Sequence, residues 1–385
     1  MIQKYLPLIF LLFFFSSYSQ TIIKKSIDSE YLGYSREIKI YLPEGYNKDE
    51  EKNYPLAIVF DAEYLFDLYV GNALLFAAKD KAPKQIIVGV NMAKTRKKDT
   101  YFNIDNGNLT KNNVNFYNFI RDEVIFDIES SYNTSPFITL IGEGTSANLI
   151  TAFLGEQTPI INAYICINPT FSDFIASQMQ AYKLARFQEE DNTFYLYTNN
   201  SNVFSNKKQK LINQLQQSIS SIDLNNFNII NDTLNTGNSI SAIAEAVPRA
   251  LAKVFEIYSA ISKEEFDKHI KDLSPLDAIT YLENKYLEID FLFGSNLGIR
   301  EQDIFTVEKV IIEKENGDQL LNFGRMILKI FPSSPLGDYY IGRYYEEGKN
   351  IKKAIKYYKI GYGKMDASDP NADAFYENIL RLSNQ

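Results

Sequence analysis

"YPLAIVFDAE", residues 54–63, is apolar at consecutive positions up to Phe60 and stops at Asp61. A strand of that kind is buried on both faces, which calls for a parallel sheet covered by helices on each side. The pattern recurs in "APKQIIVGVNM", "FITLIGEG", "NAYICINPT", "TFYLYTNN" and "FNIINDTL", while "SREIKIYLPEGY" alternates as a strand until Pro43 and Gly45. Amphipathic helical stretches separate them: "YVGNALLFAAKD", "NFYNFIRDEVIFDIESSY", "TSANLITAFLGE", "KKQKLINQLQQSISSI" and "AIAEAVPRALAKVFEIYSAI". The alternation predicts an α/β unit with a mostly parallel central sheet over residues 21–260. At 385 residues and 45% hydrophobic content the chain has material for more than one core.

From 261 to 385 the pattern is helical almost throughout. "GDYYIGRYYEEGKNIKKAIKYYKIGYGKM" sets Gly342, Tyr345, Gly348, Ala354 and Tyr358 at helix-turn-helix spacing, between "LLNFGRMILKIFPSSP" and "NADAFYENILRL". This all-α C-terminal region resembles a tetratricopeptide unit. Its tyrosines would fill gaps between helices, and the resemblance implies a groove for a peptide or protein partner.

The first segment, "MIQKYLPLIFLLFFFSSYSQ" (1–20), has one lysine, an apolar run too short for a membrane span, then small and polar residues. That is the layout of a secretory signal peptide without a lipidation cysteine. It predicts cleavage near Ser19–Gln20 and a soluble periplasmic or extracellular product with no membrane span. The net charge of -8 is spread along the chain and offers no basic patch for nucleic acid. Cys166 is the one cysteine, so no internal disulfide forms, and its neighbours place it in a packed strand. The one histidine, His269, lies in the charged stretch "KEEFDKHIKDL" and reads as a solvated helix residue. No metal-ligand spacing occurs and no cofactor is expected.

"ITLIGEGTSANL" (138–149) is a strand entering a helix through a tight turn with Gly144 at its tip. Two motifs compete for it. Gly142, Gly144 and Ala147 spell the G-x-G-x-x-A of a dinucleotide site, but the next strand ends at Asn168 where a carboxylate is required. The other is the nucleophile elbow G-x-S-x-G, with Gly144 in the serine position and Ser146 where the last glycine belongs.

With the elbow go "REIKIYLPEGY", "YPLAIVFDAEYLF", "IIVGVNMAKTRKKD", "FYNFIRDEVIFDIESSY" and "AYICINPTF", in order. Over about residues 30–258 the chain resembles the esterase family of the α/β-hydrolase superfamily, which includes esterase D and the enterochelin esterases. The resemblance implies an α/β-hydrolase fold, with a catalytic serine at position 144, a histidine at 237 and an acid after "FYLYT". Gly144, Gly237 and the amides of Asn199–Asn202 stand there instead. Asp61, Arg96 and Asp99 match family positions, Asp61 beside the oxyanion hole and the other two in the following loop. With Ala62 and Thr145 they form the candidate binding set.

Losing the nucleophile or base of such a triad costs about 10⁶ in kcat, because its members act as a unit. The expectation is therefore an exported, catalytically degenerate member that binds a ligand or partner. One alternative is a carboxylic-ester hydrolase with rebuilt chemistry, for which Ser146 is the rival nucleophile and Asp61 with Glu63 a carboxylate pair. Another is a structural subunit of a cell-envelope complex.

Overall fold

A computed structural model of the chain describes residues 21–384 other than 104–107, 172–183, 191, 221–223, 295, 296, 299, 316 and 367. The expected export signal lies outside the described residues. The strands are β1 (Thr21–Ser29), β2 (Tyr34–Leu42), β3 (Tyr54–Val59), β4 (Ile86–Val90), β5 (Thr134–Glu143), β6 (Ala163–Ile167), β7 (Phe194–Ser201) and β8 (Phe227–Leu234). They form an eight-stranded sheet in the order β1-β2-β4-β3-β5-β6-β7-β8. The β1–β2 hairpin is antiparallel and joins β4 antiparallel, and every pair from β4 to β8 is parallel.

Helices α1 (Leu65–Ala78), α2 (Arg96–Thr100), α3 (Lys111–Asn118), α4 (Ile125–Ser131), α5 (Thr145–Phe153), α6 (Asn206–Ser220) and α7 (Ser239–Val254) cover the faces. The continuous apolar strands explain why both faces need cover. In β3 and just beyond it, Leu56, Ile58 and Phe60 join one core with Phe116, Phe119, Leu149 and Phe153. Ala57 and Val59 join the other, with Phe66, Tyr69, Val247 and Leu251. The stretch predicted as one helix over "NFYNFIRDEVIFDIESSY" is α3 and α4 joined by a π-turn at Phe119–Val124. A capping box between Thr110 and Asn113 starts α3, and Asn238 caps α7 by accepting from the Ser241 amide. Strand β1, which the apolar pattern does not announce, extends the sheet at its edge.

The C-terminal half is helical: α8 (Pro275–Phe293), α9 (Glu301–Glu315), α10 (Leu320–Ile330), α11 (Pro335–Glu347), α12 (Ile351–Tyr362) and α13 (Ala372–Ser383). Ser274 caps α8, Pro275 follows at its first turn, and Gly294 ends it in the left-handed conformation. The end of α8 returns to the sheet. Ile289, Leu292 and Phe293 belong to the second core, with Phe293 5.0 Å from Phe137 and 5.5 Å from Phe255 between ring centres. Ser135 Oγ donates to the Leu292 carbonyl at 3.0 Å. Later helices build a separate core around Leu282, Ile311, Phe323 and Tyr340. There α10 and α11 touch backbone to backbone, since a Cβ on Gly324 would lie 2.5 Å from the Gly337 carbonyl oxygen. Among the described residues no helix is long and apolar enough to cross a membrane.

Candidate functional site

Strand β3 pairs with β4 on one side and β5 on the other, so the chain reverses its direction of winding between β3 and β5. In open α/β sheets the crevice outside the strand ends at such a reversal is where ligands bind. Three backbone positions in the left-handed region ring it: Asp61 (φ 53°) after β3, Gly144 (φ 62°) after β5 and Asn168 (φ 44°) after β6. Gly144 has ψ −114° and leads directly into α5. The tip therefore keeps the sharp strand-to-helix turn of an elbow, in a conformation that glycine adopts without strain. Its amide donates to the Ile167 carbonyl at 2.9 Å.

Arg96, the first residue of α2, covers the tip. Its Nε donates to Asp61 Oδ1 at 2.6 Å, and its Nη2 to Asp61 Oδ2 at 3.3 Å and to the Glu143 carbonyl at 2.8 Å. Nη2 also reaches Glu143 Oε2 at 3.3 Å. A Cβ on Gly144 would lie 3.4 Å from the same nitrogen. The guanidinium thus lies against the position from which a nucleophile would project.

Ser146, the rival nucleophile, is fully buried. Its Oγ accepts from the Glu143 amide at 2.9 Å, and its proton lies between Asp61 Oδ2 at 2.5 Å and the Glu143 carbonyl at 2.8 Å. Glu63 is likewise committed, accepting from the amides of Met92 and Ala93. The Ala62 amide donates to the Val90 carbonyl at 3.2 Å. Thr145 Oγ1 accepts from Thr100 Oγ1 at 2.8 Å.

Asp61, Ala62, Arg96, Thr145 and Ser146 thus come together, whereas Asp99 does not join them. It is buried against Arg36 of β2, 2.9 Å from Nη1, and braces the loop from below. Gly237 lies in the β8–α7 loop, and a Cβ there would meet nothing within 4 Å. The amides at the acid position are spent on structure. Asn199 exchanges two hydrogen bonds of 2.8 Å with Asn168. Asn200 Nδ2 donates to Asn213 Oδ1 at 2.7 Å, and Asn202 Oδ1 accepts from the Thr236 amide at 2.9 Å. The last contact brings the loop after β7 beside the β8–α7 loop that holds Gly237. His269 is exposed in a π-turn at Phe266–Ile270 of the helical region. Cys166 is buried in β6 and burial pushes its thiol pKa far up. Among the described residues no group of three or more His, Cys, Asp or Glu side chains could hold a metal ion.

Four residues of the crevice escape a sequence reading. Glu143 stands beside the tip, and burial pushes its carboxyl above the ordinary range against the pull of Arg96 and Lys208. Lys208, on α6, donates from Nζ to the Asn168 carbonyl at 2.7 Å, and burial draws its ammonium pKa down against the pull of Glu143. Tyr64 OH donates to Glu143 Oε2 at 3.3 Å. Asn168 is 1% exposed, and its Nδ2 has no hydrogen-bond partner among the described residues. One signal for Glu143 was its place between Gly142 and Gly144. Lys208 gave none, since "KKQKL" reads as a solvated helix face.

Residues 29–153, which hold β2–β5, α1–α5 and the elbow, match the model of the Esterase family. Over that segment the chain is similar to the esterase family, and its fold is of the α/β-hydrolase type. Three solved structures are similar to this chain in fold. An uncharacterised protein from Capnocytophaga ochracea has a TM-score of 0.82 at 21% identity, covering 95% of this chain and 100% of that one. An IroE-like serine hydrolase from Shewanella oneidensis has a TM-score of 0.57 at 18% identity, covering 80% of this chain and 98% of that one. The siderophore hydrolase EstB from Aspergillus nidulans has a TM-score of 0.51 at 12% identity, covering 61% and 95%. The first extends the likeness into the C-terminal helical region. No curated protein matches the chain in sequence.

Proposed function

We propose that this chain is an exported, catalytically degenerate member of the esterase family that works by binding rather than by turnover. One observation carries the reading: the elbow keeps its geometry at Gly144, which has no side chain, and the neighbour of its tip is the Arg96 guanidinium, 3.4 Å from where a Cβ would be. The burial of Ser146 against Asp61 supports it further. Without a nucleophile the expected loss in kcat is about 10⁶. The crevice between the ends of β3, β5 and β6 serves as the ligand site. The C-terminal helices, tetratricopeptide-like in their small and aromatic spacing, serve as the surface for a peptide or protein partner.

Assays of the mature protein test this directly. It should hydrolyse short-chain aryl esters at the background rate and resist labelling by fluorophosphonates, which need an activated nucleophile. A wild-type rate well above background that vanishes in Ser146→Ala would overturn the reading. Gly144→Ser should not restore turnover, and Gly144→Ser with Gly237→His should recover a trace at most. Export is checked by N-terminal sequencing of secreted material, expected to begin near Gln20; a start at Met1 would refute it.

A further inference from the structure

Two cations, Arg96 and Lys208, flank a single carboxylate at the mouth of the crevice. We propose that this mouth takes a small organic acid as its carboxylate, held by Arg96 and Lys208 in competition with the Glu143 side chain. The proposal rests on the non-catalytic reading above and names its ligand class.

Charge decides between an ester and an acid here. Asp61 is fully buried and its charge is met by Arg96 through two hydrogen bonds. That leaves Lys208 and Glu143 as the second pair, so the four groups sum to zero while Glu143 is ionised. Arg96 is only partly covered, at 35% side-chain exposure, and its Nη1 makes no hydrogen bond among the described residues. Nε and Nη2 of its fork stay on Asp61 and Glu143 while the Nη1 donors face an incoming carboxylate, an arrangement a lone ammonium cannot reproduce. Lys208 has further protons beyond the one given to Asn168. Asn168, which carries Lys208, adds a buried amide with unused donor capacity. With Glu143 protonated the four groups carry one net positive charge, which a carboxylate meets and a neutral ester does not.

Glu143 then acts as a place-holder. The groups facing it are Arg96 from α2, Lys208 from α6, Asp61 after β3 and Tyr64 before α1. An incoming carboxylate adds a negative charge beside Glu143 and draws a proton onto it, and burial already favours that protonated form. Binding therefore takes up a proton: it is strongest below the raised pKa of Glu143 and weakens up to tenfold per pH unit above it.

Calorimetry on the full mature chain tests this with benzoate as the probe, methyl benzoate as its uncharged counterpart and inorganic phosphate as a second anion. Benzoate should bind, with methyl benzoate at least tenfold weaker and phosphate weaker than benzoate. Benzoate affinity should fall as pH rises through the raised pKa of Glu143. Glu143→Gln should bind benzoate at least as tightly and show a flat pH profile. Lys208→Gln and Arg96→Lys should each weaken it about tenfold, the second by losing the fork while keeping the charge. Equal binding of benzoate and its methyl ester, a wild-type profile retained in Glu143→Gln, tighter binding of phosphate, or no benzoate binding at all would each overturn the proposal. Conversion of methyl benzoate to benzoate would instead overturn the non-catalytic reading, leaving the benzoate titration to stand on its own.

Discussion

Asp61 holds the elbow together from outside it. Its carboxylate meets Arg96 and the Ser146 hydroxyl at once, with none of its surface exposed. Asp61→Asn should cost about 2 kcal/mol in urea unfolding, at the low end for a broken buried pair because Arg96 reaches solvent. Ser146→Ala should cost roughly 1 kcal/mol, the worth of a hydrogen bond to a charged group less the relief of a buried hydroxyl. Glu156 offers a pH test. It accepts from Tyr117 and pairs with Arg121 at 3.1 Å, yet burial holds its carboxyl above the ordinary value of 4.5. The native state then keeps that proton to higher pH than the unfolded chain does. Its contribution is present at low pH and is lost as pH climbs from 4.5 through the raised native value. Glu156→Gln should flatten stability over that window, measured as Tm against pH.

Elements were more legible than contacts. The segments ending at Leu42, Val59, Val90, Glu143, Ile167, Ser201 and Leu234 all became strands; those of β3, β4 and β6 are buried at every position, which leaves no polar positions to confuse the reading. Strand β1 was missed since Lys24 and Lys25 interrupt its alternation and its outer edge meets no partner strand. The π-turn between α3 and α4 was missed because one extra residue in a helical register leaves little trace in composition. The elbow was visible from its glycines, but its lock was not: Ser146 and Asp61 are 85 residues apart. Lys208 became a site residue only when α6 packed its first turn beside Asn168. In the helical half, Gly324 was legible only as a small residue. Its backbone contact with Gly337 predicts that Gly324→Ala forces α10 from α11 and costs about 1–3 kcal/mol, read as a lowered Tm.

At the scale of the molecule, α8 belongs to both halves. Its first turns pack with the helical core through Ala278, Ile279 and Leu282, and its last turn enters the sheet's second core through Ile289, Leu292 and Phe293. Asp303 ties the same joint from α9. It accepts from the Ile261 amide at 2.6 Å and from Tyr286 OH at 2.9 Å. A fragment ending at residue 260 would leave Phe137 and Phe255 without their partner ring. Phe293→Ala in the full chain should cost about 3–5 kcal/mol. The fragment 21–260 should melt well below 21–298 by circular dichroism, and equal melting points would show that α8 contributes nothing to the sheet.

Gly144 bears on history as well as on chemistry. A side chain held at φ 62° stores on the order of 1 kcal/mol or more of backbone strain, which an active elbow must sustain through its surroundings. Glycine releases it. On the non-catalytic reading proposed above, a chain with glycine here is more relaxed at that turn. A side chain would bring back the strain, and two further partners would have to be acquired with it before any rate rewarded the change. On that reading the turn works as a ratchet: each single step towards a nucleophile is uphill, so its absence holds without any selection to maintain it.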